Sequence, residues 1–160
     1  MPSSPEMAAA ELKAAGLSLA TAESLTGGLL GSLLTSVPGV SACYRGGVIA
    51  YATEAKAHVL GVPADLLAAH GPVSVECARA MAEGTRRLFG ADFGLATTGV
   101  AGPDTQDGHP VGTLFLGLAG PAGVTHAGLF SPAPGRNEIR EWAAEEAFRL
   151  LLTALPGYSG

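Results

Sequence analysis

Hydrophobic positions change their period several times along the chain, and each change marks an element. "EMAAAELKAAG" reads as a short helix closed by Gly16. "LSLATA" then alternates as a strand does. From Thr26 onward, Leu29, Leu30, Leu33, Leu34 and Val37 fall on one helical stripe, which Pro38 and Gly39 end. "GGVIAYA" reads as the next strand, and "TEAKAHVLG" as a short helix opening at Thr53 with good cap chemistry. Between Ser74 and Phe89, the residues Val75, Ala78, Ala82 and Phe89 recur at helical spacing, with Arg79, Glu83 and Arg86 on other faces. "ADFGLATTG" is a buried-type strand that stops at Gly99. "VGTLFLGLA" and "GVTHAGLF" flank "GPAG" as a β-hairpin with a somewhat long loop. Ile139, Trp142, Ala143, Ala147, Leu150 and Leu151 make the last helix amphipathic. Residues 1–5 and 156–160, rich in Pro, Ser and Gly, read as loose ends.

Strands alternating with helices, then one late hairpin, predict an α/β fold: a mostly parallel sheet with helices on both faces. The hairpin makes at least one strand antiparallel, so the sheet is mixed. No composition shift, linker or repeat divides the chain, which reads as one domain over 1–160 with its core in about 12–155. In such sheets ligands sit at the carboxyl ends of the strands. Two Gly-rich segments fall there, "ESLTGG" and "TGVAGPDTQDG", and they form the candidate site.

Composition narrows the partners. The 160 residues are 48% hydrophobic and 14% charged, with a net charge of −5. No excess of cations is available to displace phosphate counterions, which argues against nucleic acid and anionic membranes. A small anionic substrate stays open, because a local site can be positive within an acidic protein. Cys43 and Cys77 have no CxxC spacing and read as two reduced thiols. His58, His70, His109 and His126 lie far apart and form no metal-binding pair. Gly, Pro or Ser interrupts every apolar run before membrane-spanning length, and no signal-peptide pattern opens the chain. The expectation is a soluble cytoplasmic protein, and its apolar composition points to a homo-oligomer.

Three segments carry candidate chemistry. In "ESLTGG", unpaired N–H groups at a helix start attract an anion, and Gly27 and Gly28 let a ligand approach the backbone. Ser24 or Thr26 as a simple helix cap explains the same residues without any enzyme. In "YATEAK", Tyr51 ends a strand, and Lys56 is either a solvated helix lysine or a base turned into the site. The second role needs its pKa to fall from about 10.4 to near 7, roughly 4–5 kcal/mol of disfavoured charge. If it stays charged, it can only orient or stabilise an anion.

The loop "TTGVAGPDTQDGHPVGT" is long for a strand connection and suits a phosphate or ribose through its backbone, at Thr98, Gly99, Ala101, Gly102 and Gly112. Asp104 and Asp107 read as turn carboxylates rather than metal ligands. Arg136 and Arg140 are each able to hold a phosphate bidentately, or else to pair with Glu138 or Glu141 on the surface.

In combination the motifs are more specific. "TAESLTGG", "GGVIAYATEAKAHVLGV", "HGPVS", "MAEG", "TTGVAGPDTQDGHPVGT" and "GRNEIR" follow in this order. Together they resemble the CinA C-terminal domain family, whose active members are nicotinamide-nucleotide amidases, over about residues 12–155. The chain departs from the family's usual pattern at Leu25, at Ala52-Thr53 and at His109. The resemblance implies a three-layer α/β/α sandwich around a mixed sheet. It also implies hydrolysis of the amide of nicotinamide mononucleotide to nicotinate mononucleotide and ammonia, with no metal and no organic cofactor.

By that resemblance Ser24 is the nucleophile, Lys56 its base and Tyr51 an aid to proton transfer or to holding the nucleophile. Backbone N–H groups at the start of the Thr26 helix are then the expected oxyanion donors. Residues 99–112, with Arg140 and Arg136, are expected to hold ribose and phosphate. Two rival readings remain at this stage: a metal-dependent phosphate-ester hydrolase, and a non-catalytic nucleotide-binding or competence-associated interaction module.

Overall fold

The computed structural model describes residues 1–157 and 160. Along it run α1 (Ser4–Ala15), β1 (Leu19–Glu23), α2 (Leu29–Thr35), a 3-10 turn (Val40–Ala42), β2 (Tyr44–Ile49), α3 (Thr53–His58), α4 (Ala64–His70), α5 (Val75–Phe89), β3 (Phe93–Gly99), β4 (Thr113–Gly120), β5 (Gly123–Phe130) and α6 (Arg136–Thr153). The five strands form one mixed sheet in the order β2-β1-β3-β4-β5. β1 is parallel to β2 and β3, while β4 is antiparallel to both its neighbours. Only β4 therefore runs against the other strands.

Side chains alternate across each strand, and here the two faces differ in size. Leu95 on β3, with Leu114, Leu116 and Leu118 on β4, faces a layer made of α1, α2 and α6. On the opposite face, Ala22, Ala96 and Ala119 meet Cys77, Met81 and Ala82 of α5. Glycines let α5 lie almost on the sheet. A methyl at Gly94 would strike the Ala82 carbonyl oxygen, and one at Gly117 the Ala78 carbonyl oxygen. The result is a three-layer α/β/α arrangement with α3, α4 and α5 on the small-residue side.

Several boundaries differ from the sequence expectation, each for a local reason. Residues 1–5 are not wholly loose: Ser4 and Pro5 belong to α1 and are buried, and Ser3 closes a capping box with Glu6. Of the other expected loose end, residues 158 and 159 lie outside the described residues. The hairpin turn is tight, since Gly120 pairs with Gly123 and only Pro121 and Ala122 lie between them. α3 has Ala52 at its cap position with no side-chain bond, so Thr53 is its first residue rather than its cap. α4 has no buried residue and so leaves no apolar stripe to read. α5 begins as its sequence suggests, with Ser74 Oγ accepting from the Cys77 N–H.

Among the described residues no helix is long and apolar enough to cross a membrane. Gly117→Ala should lower the unfolding free energy by about 1–3 kcal/mol or more, because the Ala78 carbonyl has nowhere to move. A urea titration against the unmodified protein reads that shift.

Candidate active site

β1 delivers its last residue, Glu23, into the interior, where it is only 3% exposed. Its carboxylate accepts from the N–H groups of Gly28 (3.1 Å), Leu30 (2.8 Å) and Gly31 (3.2 Å). A carboxylate from the preceding strand thus satisfies the donors at the start of α2 and complements its dipole. Neither Ser24 nor Thr26 caps this helix, which starts three residues beyond Thr26 with Gly28 at its cap position. The expectation that the first N–H groups of that helix are free for an oxyanion is corrected by the same bonds. Gly27 and Gly28 have φ of 56° and 108°, so they serve the turn itself. They do not line the cavity described below.

Thr26 is fully buried, with its hydroxyl 2.9 Å from that of Thr97 on β3. The Ser24 N–H donates to the Thr97 carbonyl at 3.1 Å. The Ser24 hydroxyl is left for a different partner.

That partner comes from α3. Lys56 is the one buried residue of this helix and is 2% exposed. Its Nζ lies 2.9 Å from Ser24 Oγ, 2.8 Å from the Ala50 carbonyl and 3.1 Å from the Tyr51 carbonyl. The lysine has folded back over the chain just after β2, where the Ala50 and Tyr51 carbonyls receive it. Burial pushes the Lys56 pKa below the ordinary lysine value. Cys77 on α5 interacts with it electrostatically, but burial pushes that thiol up to about 11. At neutral pH the thiol is uncharged and supplies no anion to hold the ammonium form. No carboxylate is paired with Lys56 among the described residues.

The Ser24–Lys56 contact opens into a cavity of about 410 Å³, within the range of small-molecule sites. Of the residues expected from sequence, Ser24, Tyr51, Lys56, Thr98, Gly99, Ala101, Gly102 and Arg136 line it. Thr26, Gly27, Gly28, Gly112 and Arg140 do not. Gly112 sits behind the loop, donating to the Val100 carbonyl at 2.8 Å. Arg140 points to backbone instead: Nε donates to the Leu25 carbonyl at 2.8 Å and Nη2 to the Thr26 carbonyl at 3.3 Å. Arg136 donates to the Gly102 carbonyl and, at 3.2 Å, to the Tyr51 hydroxyl.

Tyr51 therefore meets Lys56 through its carbonyl, while the residue is 63% exposed and its hydroxyl accepts from Arg136. The hydroxyl of this residue, expected to aid proton transfer or hold the nucleophile, thus meets Arg136, while its backbone meets Lys56. Sequence reasoning gave no site role to Pro72 and Val73, which line the wall, while Thr105 and Gln106 line it from within the expected 99–112 loop. The Thr98 hydroxyl donates to the Pro72 carbonyl at 2.7 Å, which is how that wall is held to β3. Asp104 lines the cavity as well, and among the described residues no three His, Cys, Asp or Glu side chains gather as a metal site.

Comparison with known proteins agrees with this architecture. A CinA-like protein of Frankia casuarinae is 54% identical over 139 residues, covering 87% of this chain and 32% of the relative. A putative competence-damage inducible protein of Desulforamulus reducens is 46% identical over 143 residues, covering 89% of this chain and 34% of the relative. With 32% and 34% of these relatives covered, the chain spans about a third of their length. A CinA superfamily protein of Klebsiella pneumoniae superposes with a TM-score of 0.92 at 33% identity, covering 97% of both chains. A competence/damage inducible protein of Agrobacterium tumefaciens does so with a TM-score of 0.87 at 34% identity, covering 96% of both. The model of the CinA C-terminal domain matches residues 3–155, and the chain belongs to that family.

Proposed function

We propose that this chain is a nicotinamide-nucleotide amidase, hydrolysing the amide of nicotinamide mononucleotide to nicotinate mononucleotide and ammonia. One observation carries the proposal: a buried lysine amine 2.9 Å from the Ser24 hydroxyl, at the mouth of a cavity sized for a small molecule. The family resemblance supplies the substrate. The relatives' names specify none.

A serine hydroxyl is a weak nucleophile until a base takes its proton. Of the three partners around Lys56 Nζ, the Ala50 and Tyr51 carbonyls can only accept. A neutral amine therefore gives its two N–H bonds to them and turns its lone pair to the Ser24 hydroxyl. Ser24 Oγ attacks the amide carbon as its proton passes to Lys56, and the carbonyl electron pair moves onto oxygen. On collapse the C–N bond breaks, Lys56 returns the proton to nitrogen, and ammonia leaves an acyl-enzyme. Water, deprotonated by the same amine, then releases the carboxylate.

The N–H groups of Leu25 and Thr26 follow the nucleophile directly and donate to no acceptor among the described residues. In this reading the Leu25 N–H, on a residue that lines the cavity, replaces the α2 start as the oxyanion donor, with the Thr26 N–H next to it. Arg136, which lines the cavity, would in the same reading take the phosphate, and residues 99–106, which line it too, the ribose.

Ammonia release from nicotinamide mononucleotide, measured on metal-free protein, tests the reading. Wild type should turn over, while Ser24→Ala and Lys56→Ala each lose at least about 10³-fold in kcat. Turnover that survives Ser24→Ala rejects the mechanism. Nucleotide binding without any turnover would leave the chain a nucleotide-binding module of the competence-associated kind.

The rate should also depend on pH in one direction. Only the neutral amine accepts the serine proton, so kcat/KM should rise with pH through the Lys56 pKa and then level off. Burial depresses that pKa, which places the rising limb below the ordinary lysine range. Stability has the same sign: between the folded and unfolded pKa values the unfolded chain binds the extra proton, so folding strengthens as pH rises. A pH–rate profile falling on the alkaline side, where Lys56 is neutral, contradicts this assignment.

A further inference from the structure

The turn that carries Ser24 is held one peptide at a time. The Ser24 carbonyl accepts from the Gly27 N–H at 3.1 Å. The Leu25 carbonyl accepts from Arg140 Nε at 2.8 Å, and the Thr26 carbonyl from Arg140 Nη2 at 3.3 Å and from the Leu29 N–H at 3.0 Å. All three carbonyls are therefore occupied, and Arg140 holds two of them. The N–H groups of Leu25 and Thr26 in the same turn donate to nothing among the described residues, although both residues are buried. Unpaired backbone N–H groups are uncommon in folded proteins, and two in succession beside the Ser24 hydroxyl, one of them on the cavity-lining Leu25, are free for an acceptor that arrives during the reaction.

In a planar trans peptide the carbonyl and the N–H point in opposite directions. Fixing the Leu25 carbonyl therefore fixes the direction of the Thr26 N–H. A guanidinium suits this task because its rigid fork reaches two carbonyls at once from α6. Its Nη1 is steadied by the Asn137 side chain at 3.1 Å. Gly27 makes room for the fork: a methyl there would stand 3.2 Å from Arg140 Nη2, at a backbone φ of 56° that side chains disfavour.

We propose that Arg140 is a positioning residue, which holds the Leu25–Thr26 turn so that its two free N–H groups receive the oxyanion formed when Ser24 attacks. It does not line the cavity, and both carbonyls it holds belong to the turn. Its natural readout rests on the amidase reading, but an activated ester probes the same turn without it. When p-nitrophenyl acetate acylates Ser24, the new Oγ–C bond forms, the proton passes to Lys56 and p-nitrophenolate leaves through the same oxyanion.

The experiment compares wild type, Arg140→Ala and Arg140→Lys in two assays: single-turnover acylation by p-nitrophenyl acetate and steady-state ammonia release from nicotinamide mononucleotide. Loss of the fork should slow acylation and kcat together by about 10²-fold, with KM for the nucleotide within about twofold of wild type. Millimolar guanidinium should restore part of the Arg140→Ala rate, and Arg140→Lys, which reaches one carbonyl, should fall between the two.

An unchanged acylation rate in Arg140→Ala overturns the proposal. So does a raised KM at unchanged kcat that disappears with the phosphate-free riboside, since that pattern assigns Arg140 to the phosphate. If Arg140→Ala does not fold by circular dichroism, Arg140→Lys and Gly27→Ala decide by the same acylation rate. Ester acylation of wild-type Ser24 without ammonia release from the nucleotide would reject the amidase reading and leave the Arg140 comparison to the ester. Failure of wild-type Ser24 to be acylated overturns both.

Discussion

A lysine side chain taken almost wholly out of water is the constraint around which this site is arranged. Removing the ammonium from solvent costs far more than one hydrogen bond returns, so a buried lysine persists only where its nitrogen is fully partnered. Here the partners are two carbonyls at the exit of β2 and one serine hydroxyl at the exit of β1. The parallel pairing of these strands brings the two exits side by side, and the Ala50 N–H donating to the Glu23 carbonyl at 2.8 Å ties them together. Small residues on that face of the sheet, Ala22 and Ala96, lie in the cluster that α5 covers. The close approach of α5 and the burial of Lys56 thus share one cause in the sequence.

The other polar groups of the site are distributed so that Ser24 has no structural duty for its hydroxyl. Glu23 satisfies the start of α2, Thr26 bonds Thr97, and Arg140 takes the carbonyls of the turn. In an ordinary strand-to-helix junction a serine at this point would cap the helix, and its lone pairs would be committed. Passing that role to the neighbouring carboxylate releases the hydroxyl toward Lys56. Under the proposed mechanism Glu23 therefore frees the nucleophile without itself lining the cavity.

How much of this is legible in the sequence follows from the range of each interaction. α5 and β3 were readable because their burial repeats with a helical or unbroken pattern, and α1 because a glycine in the left-handed conformation ends it. α4, with no buried face, had no such pattern. The late start of α2 was hidden because its cap acts across five to eight residues rather than the usual two or three. Ser24 and Lys56 were identified through the family's motifs, and their contact spans 32 positions that no local period encodes.

The two arginines show the limit most clearly. Arg136 and Arg140 lie one helical turn apart on α6, so periodicity places them on the same side without saying which faces the cavity. Only the packing of α6 against the Ser24 turn, 115 positions away, sends Arg140 to the backbone and leaves Arg136 at the rim. Tyr51 shows a different limit: a motif does not say whether side chain or backbone makes a contact, and the one with Lys56 is made by a carbonyl.

Under the proposed Ser–Lys mechanism, the geometry around Lys56 lets one amine serve both halves of a hydrolytic cycle without moving. When protonated, its three N–H bonds match three acceptors: two carbonyls and Ser24 Oγ. When neutral, the two carbonyls keep their bonds and only the contact with Ser24 reverses, the lone pair now accepting the hydroxyl proton. Both states are fully hydrogen-bonded, so the change of charge requires no rearrangement of buried groups. The carbonyls on their own would favour the ammonium, and desolvation opposes them, with no carboxylate present to settle the contest. A carboxylate in place of either carbonyl would pair the ammonium and raise its pKa, and the base would then be protonated at the pH where it must act. The absence of a buried anion beside Lys56, with Cys77 kept as a neutral thiol, is therefore as much a part of the site as the serine itself.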